Sequence, residues 1–277
     1  VGGEGGFHAM RRGRGSPFAS WLLLAKIWDM EEPDKVMAEL LESSGTRFDG
    51  VRIGDRKLTP IDVVSALIPH LSESRIARID EILEGRTYDV APVVEGVINT
   101  GNVSAVMRTA EGLGFQPFHV ISNDVPFKHS SRTTQGAQKW LDVTVWDKTP
   151  ECVEHLKDSG YTIVVTALTD SAVPLEQVDF TRKTALVFGN EANGCTDAML
   201  EAADQACILP SPGFVQSYNI SVAAAMSLYA AFAVRVRTFG QNGNLSMSDM
   251  ERLRADFYIR SVRSADTILR RWAEGLD

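Results

Sequence analysis

The sequence is short of the residues that mark most metal and redox chemistries. Its three cysteines, Cys152, Cys195 and Cys207, form no CxxC pair and are odd in number. That excludes a disulfide framework and fits a reducing compartment. The five histidines show no metal-ligand spacing, so no metal is expected. There is no GxGxxG, which argues against a nicotinamide-dependent oxidoreductase. No apolar run reaches the ~20 residues that a bilayer requires. The most apolar stretch, Val222 to Val234, reads as a core helix, and no membrane partner is expected. Positive charge is also scarce, with 28 Lys and Arg against 36 Asp and Glu, a net charge of −8. That balance speaks mildly against a surface coated for nucleic acid and leaves a local basic face open.

What is present reads in three parts: an extension over 1–71, a domain over 72–240 and a segment over 241–277. Residues 1–16 are rich in Gly and Arg and read as disordered. Between Gly5 and Trp28 stand Arg11, Arg12, Arg14 and Lys26 with no acid, the composition of an organelle-transit remnant or of a basic arm. The first residue is Val1, which suggests a start inside a longer precursor. The protein is expected to be soluble and intracellular, in the cytoplasm or an organelle matrix or stroma. Pro33 opens one helical pattern. Thr59-Pro60 opens a second, with Thr59 as N-cap and Pro60 in the first turn. A third helix is expected over 72–84.

From residue 88 short apolar strands alternate with helices: strands over 90–97, 118–122, 141–146, 161–168, 184–189 and 206–210, helices over 102–114, 150–158 and 196–203, then the alanine-rich helix. This pattern is that of an α/β domain with a mostly parallel sheet. Beyond Gly240 a polar linker, QNGNLS, leads to helical sequence over 248–272. Arg252, Arg254, Arg260, Arg263, Arg270 and Arg271 there face only Asp256 and Asp266 over 252–271. RNA contact and a solvated helix face are both open readings of that excess.

Three stretches, each after a strand, carry polar residues where ligands of such sheets bind. In 98–114, Asn102 is placed to cap the helix, and Arg108 stands among Val103, Val106 and Met107 and needs a partner, with Glu111 or Glu191 as candidates. In 187–200, Gly189 and Gly194 bracket Glu191. In 208–225 a helix built for burial begins with Gln216, Ser217, Tyr218, Asn219 and Ser221. Buried polar groups cost free energy unless paired, so these residues either cap the helix or hold a ligand.

Taken together, Asn102-Val-Ser-Ala-Val-Met-Arg108-Thr109, Phe188-Gly189-Asn190-Glu191 with Gly194, and Val215-Gln216-Ser217-Tyr218-Asn219-Ile-Ser221 resemble the three motifs of the TrmH (SpoU) branch of the SPOUT superfamily, RNA ribose 2′-O-methyltransferases. Gln135-Gly136-Ala137-Gln138-Lys139-Trp140, Gly160 to Leu168 and Val178-Asp179 extend the likeness to roughly residues 75–237. The resemblance implies a parallel sheet flanked by helices with a deep C-terminal trefoil knot, here with helical extensions at both ends. It implies S-adenosylmethionine as methyl donor, a homodimer and RNA as partner, with tRNA methylated on a D-loop guanosine as the leading expectation. Ribosomal RNA as substrate, or a non-catalytic RNA-binding protein of the same fold, are the alternatives. By the same resemblance Arg108, Asn102, Glu191, Ser217 and Asn219 form the catalytic set. Thr166, Ala167, Leu168, Phe188, Gly189, Asn190, Glu191, Gly194, Ile208, Leu209, Ser217 and Asn219 hold the donor. Arg132, Lys139 and the six C-terminal arginines are candidate RNA contacts. Tyr218 stands where a smaller aliphatic is common in the family.

Overall fold

The computed structural model describes residues 48–97, 99–123, 134–215 and 217–275. The basic N-terminal stretch, the helix expected from Pro33, Arg132 and Gln216 lie outside the described residues.

Seven strands form one parallel sheet: β3 (Val90–Glu95), β4 (Pro117–Ile121), β5 (Asp142–Trp146), β6 (Thr162–Thr166), β7 (Val173–Pro174), β8 (Thr184–Phe188) and β9 (Gln205–Ile208), in the order β5-β4-β3-β8-β6-β9-β7. β1 and β2 belong to a separate hairpin. Every residue of β3, β4 and β8 is buried. Such strands, covered on both faces, carry near-continuous apolar sequence rather than alternation. One face is covered by α3 (Thr100–Gly112) and α6 (Ile220–Phe239), which place Val103, Val106, Met107, Ala224, Leu228 and Ala231 in the main core. On the other, α4 (Thr149–Asp158) and α5 (Asp197–Ala202) bury Cys152, Leu156 and Met199. β7, a two-residue strand, was not anticipated because so short a pairing has no periodicity.

α6 is 20 residues long, more than its apolar run suggested, and by length and composition could cross a membrane. It packs instead on α3, and small residues at Ala224 and Ala231 let the two backbones approach.

The first and last described segments fold together. The hairpin β1 (Val51–Ile53) and β2 (Arg56–Leu58), α1 (Pro60–Leu67) and α2 (Glu73–Glu84) share one apolar cluster with α7 (Met247–Ser261) and α8 (Ala265–Glu274). α1 starts as expected: Thr59 and Asp62 form a reciprocal capping box with Pro60 in the first turn. Two features differ from expectation. The division at residue 71 separates α1 from α2, yet both contribute to this cluster with α7. The helix expected over 248–272 is two helices, separated at Val262–Ser264, where Ser264 takes a left-handed conformation with φ 57°.

The stretch read as a polar linker has a buried centre, Asn242 and Gly243, between the exposed Gln241 and Asn244. Asn242 is 5% exposed and donates to the carbonyls of Leu113 (2.9 Å) and Gly85 (3.3 Å). Arg235, 1% exposed on α6, donates to Asn242 Oδ1 (3.2 Å) and to Asp89 Oδ2 (3.0 Å). Asn244 accepts from Thr87 Oγ1 (2.6 Å). A Cβ on Gly243 would stand 1.8 Å from the Glu84 carbonyl oxygen, so only glycine fits. The polarity that suggested a solvated linker serves buried backbone groups, which must be paired.

Candidate functional site

Strand register creates the site. Thr166 pairs with both Phe188 and Cys207, so β6, β8 and β9 end side by side. The loops that leave them, Ala167-Leu168, Gly189 to Gly194 and the one after Ile208, therefore start from one edge of the sheet. α3 begins beside them because β3 pairs with β8, with Val94 opposite Phe188.

The helix after β3 starts earlier than expected. Asn99, not Asn102, is the N-cap, its Oδ1 accepting from Gly101 N–H at 2.9 Å. Asn102 lies in the first turn of α3, and its side chain is free to act across the site: Nδ2 donates to Glu191 Oε1 at 2.6 Å. Arg108 is exposed, six residues on, a rise of about 9 Å along the helix. Neither expected carboxylate partner takes it. Glu111 pairs with the buried Arg86 at 2.6 Å, and Glu191 accepts from Asn102. Arg108 makes no hydrogen bond or ion pair among the described residues.

The second loop is a tight turn. Asn190 and Gly194 exchange backbone hydrogen bonds at 2.9 and 2.8 Å. Asn190 Oδ1 accepts from the N–H groups of Ala192 (2.8 Å) and Asn193 (3.2 Å), and its Nδ2 donates to the Gly96 carbonyl (2.7 Å), tying this turn to the end of β3. Gly189 is required, since a Cβ there would fall 2.2 Å from the Gly194 carbonyl carbon.

In the third loop Tyr218 donates its hydroxyl to the Pro210 carbonyl (3.0 Å) and closes the loop at its base. Asn219 is the N-cap of α6. Its Oδ1 accepts from Ser221 N–H (2.9 Å) and Ser221 Oγ (2.6 Å). That fixes the amide, and Nδ2 faces Asn102 Oδ1 at 3.5 Å. The three loops thus meet in one side-chain chain, Asn219 to Asn102 to Glu191, in which each amide presents a donor to the next acceptor. Asn219 caps the helix and faces the site at once, and capping preorganises it. Ser217 is exposed on the same loop.

Other expected donor contacts have different surroundings. The Thr166 hydroxyl is engaged by the Val187 carbonyl (2.9 Å), and the Phe188 side chain is buried in the core. At those positions only backbone faces the loops. Leu168 is 64% exposed and Ile208 and Leu209 are half-buried, leaving apolar surface at the strand ends. Of the C-terminal arginines, Arg252 is paired with Asp249, Arg254 with Asp80 (2.9 Å) and Arg260 with Asp256 (2.8 Å). Carboxylates outside the counted window, Asp80 and Asp249, neutralise part of the local excess read from sequence. Arg263, Arg270 and Arg271 are exposed and Lys139 is half-buried. Burial pushes the Cys195 thiol up to about 12, and the neighbouring Glu95 carboxylate adds to the shift, which removes this cysteine as a nucleophile. Sequence reading passed over Glu95, whose signal was an acid ending an otherwise apolar strand.

Comparison with known proteins agrees with this geometry. Residues 90–229 match the model of the SpoU rRNA Methylase family. A Borreliella burgdorferi protein named tRNA (guanosine(18)-2′-O)-methyltransferase is 31% identical over 201 residues, covering 73% of this chain and 92% of the relative. The Escherichia coli K12 protein of the same name is 34% identical over 186 residues, 66% of this chain and 81% of the relative. Among solved structures, the Aquifex aeolicus TrmH/SpoU tRNA modifying enzyme superposes with a TM-score of 0.63 at 30% identity, over 68% of this chain and 96% of that one.

Proposed function

The chain belongs to the SpoU methylase family, and from that membership we propose that it transfers a methyl group from S-adenosylmethionine to the ribose 2′-hydroxyl of a guanosine in the tRNA D-loop. The observation that carries this reading is the meeting of three motif loops in the Asn219–Asn102–Glu191 chain; α3, which supplies Asn102, also carries the exposed Arg108, which makes no hydrogen bond or ion pair among the described residues. The tRNA assignment is supported by relatives named for guanosine 18 of tRNA.

The loops suit the donor. Backbone at Gly189 and Asn190 comes close because Gly189 has no side chain, and Leu168, Ile208 and Leu209 offer apolar surface to an adenine ring. When bound, the donor supplies a methyl group activated by its sulfonium. The protein's task is alignment and charge. Holding a nucleophile in line can contribute about 7–11 kcal/mol. Arg108 is the cation for the 2′-oxygen. A guanidinium stays protonated in proteins, so Arg108 does not take the proton but stabilises the developing alkoxide and grips the neighbouring phosphate. Asn102 positions the ribose or the loop, and Glu191 holds Asn102.

We assign the methyltransferase unit to residues 72–240, of which α2 also packs with the terminal helices. The strand order, with β8 between β3 and β6, and the family membership support a trefoil knot formed by the segment after β9. Val222, Met226 and Tyr229 form an exposed stripe at helical spacing on α6, which fits a second copy of the chain. Arg108, Lys139 and the exposed Arg263, Arg270 and Arg271 are the proposed RNA contacts, with Arg132 beside them in sequence only.

The reading is tested by incubating the protein with tritiated S-adenosylmethionine and total RNA, followed by size separation and nucleoside analysis. Label in 2′-O-methylguanosine of tRNA is expected. Label in large RNA would move the substrate to the ribosome. No label together with no donor binding would leave a non-catalytic RNA-binding protein.

A further inference from the structure

A cavity of about 210 Å³ opens at the carboxyl ends of β3, β4 and β8, lined by Glu95, Gly96, Ser122, Asn123, Asn190 and Asn193 among others. It borders the Asn190–Gly194 turn that carries Glu191, and the donor-side strands β6 and β9 contribute nothing to it. Its volume equals that of about seven waters in the liquid, room for a flat nucleobase.

The unspent polar groups decide what it would hold. The Ser122 hydroxyl is used by the Trp146 carbonyl, and the Asn190 amide is used within its turn and by Gly96. Glu95, 1% exposed, accepts at Oε1 from the hydroxyls of Thr149 (2.5 Å) and Thr196 (2.8 Å) and at Oε2 from Thr196 N–H (2.9 Å). A carboxylate offers about four acceptor positions, so one at Oε2 is left. Asn123 Oδ1 lies 3.3 Å from the same Thr149 hydroxyl. That hydroxyl has one proton, already given to Glu95 over the shorter distance. Turning the Asn123 amide over lets its NH2 donate to Thr149 and leaves its carbonyl oxygen for a ligand. Asn123 also holds φ 46°, a left-handed conformation that asparagine adopts more readily than other non-glycine residues. The wall therefore offers the Asn123 oxygen as an acceptor over a negative charge, that of the almost inaccessible Glu95. It repels phosphate and favours a ligand edge with adjacent N–H donors. Among nucleobases that edge is guanine's, with N1–H beside the N2 amine.

We propose that this cavity receives the guanine base of the nucleoside being methylated, with the Asn123 oxygen accepting from its N1–H and N2 amine, the buried charge of Glu95 favouring those donors, and Asn193 at the rim. The inference rests on the proposed methyl transfer to guanosine and names what selects the base. Methylation occurs on the ribose, so the chemistry itself does not discriminate bases, and a separate pocket must. Buried groups built to meet a donor reject an analogue lacking it.

The test uses tRNA transcripts carrying guanosine or inosine at the target position. Inosine lacks only the N2 amine. The wild-type protein should favour guanosine by about tenfold or more in kcat/KM. Asn123→Gly, which keeps the left-handed backbone, should bring the two substrates within about twofold while S-adenosylmethionine affinity is unchanged. Equal wild-type rates on the two RNAs, or undiminished discrimination in the variant, would overturn the pocket while leaving methyl transfer intact. In parallel, guanosine binding is followed by ligand-observed NMR. Binding to the wild type that weakens in Asn123→Gly, with no methyl transfer to any RNA, would keep the pocket and sink the catalytic reading. Absence of both would overturn both.

Discussion

Arg235, near the end of α6, donates to Asp89 Oδ2 at 3.0 Å, just before the first strand of the parallel sheet, with its side chain 1% exposed. Asn219, at the other end of the same helix, faces Asn102. One helix thus joins the candidate site to the junction that binds the terminal helices. Asp89 is 31% exposed, so the main loss in Arg235→Met is the donor to the buried Asn242 Oδ1, and the variant should cost about 1–3 kcal/mol in urea unfolding. Gly243→Ala, which drives a methyl group into the Glu84 carbonyl, should cost about 1–3 kcal/mol through the same junction. Wild-type midpoints in both variants would show that the junction contributes nothing to stability.

Asn102→Asp tests the polar chain. It replaces a donor with a second carboxylate against Glu191, where the amide now donates at 2.6 Å. Activity should fall by at least about tenfold, a 1.4 kcal/mol loss, with the melting temperature nearly unchanged because both groups lie at the surface of the site. Glu191→Gln in the same background should restore part of the activity by removing the like charge. Full activity in Asn102→Asp would show that the pair plays no part in turnover.

Arg108→Lys keeps the charge and loses the planar fork. Because Arg108 is exposed and makes no hydrogen bond or ion pair among the described residues, the fold has little reason to change. Most methyl transfer should disappear, by about 100-fold, if phosphate and 2′-oxygen are held together by that fork. Turnover near wild type under saturating RNA would contradict the assigned role.

His119 predicts an acid limb in stability. Its Nδ1 accepts from Trp146 Nε1 at 3.1 Å, and burial, with His155 nearby, lowers its pKa from 6.5 to about 3. The unfolded chain therefore binds a proton below about pH 6.5 that the native state refuses until about pH 3. Stability from this group is complete above pH 6.5 and declines across that window by about 1.4 kcal/mol per pH unit. Between pH 7 and pH 5 the wild type should lose about 2 kcal/mol more than His119→Gln, read from Trp fluorescence in urea. Parallel losses in the two proteins would mean that His119 titrates normally.

The sequence by itself determined the parts with local causes. Val90–Glu95 and Thr184–Phe188 announce buried strands because every position is apolar or nearly so. Thr59-Pro60 announces a helix start because cap and proline act within one turn. The three motif stretches were legible as sites because polar residues stood where burial would otherwise be costly. Only tertiary structure decided who meets whom. Asn102 sits one turn past the cap that sequence assigned to it, because Asn99 satisfies the free N–H groups first. Glu191 met Asn102, 89 positions away, rather than Arg108. Asn242 and Gly243 of the polar QNGN stretch became buried, with Asn242 donating to the backbone carbonyls of Gly85 and Leu113. The arginines of α7 found carboxylates on their own helix and on α2. Composition and periodicity record what a residue would prefer. Pairing across distant segments depends on how the sheet and helices close around them, and only the folded chain carries that information.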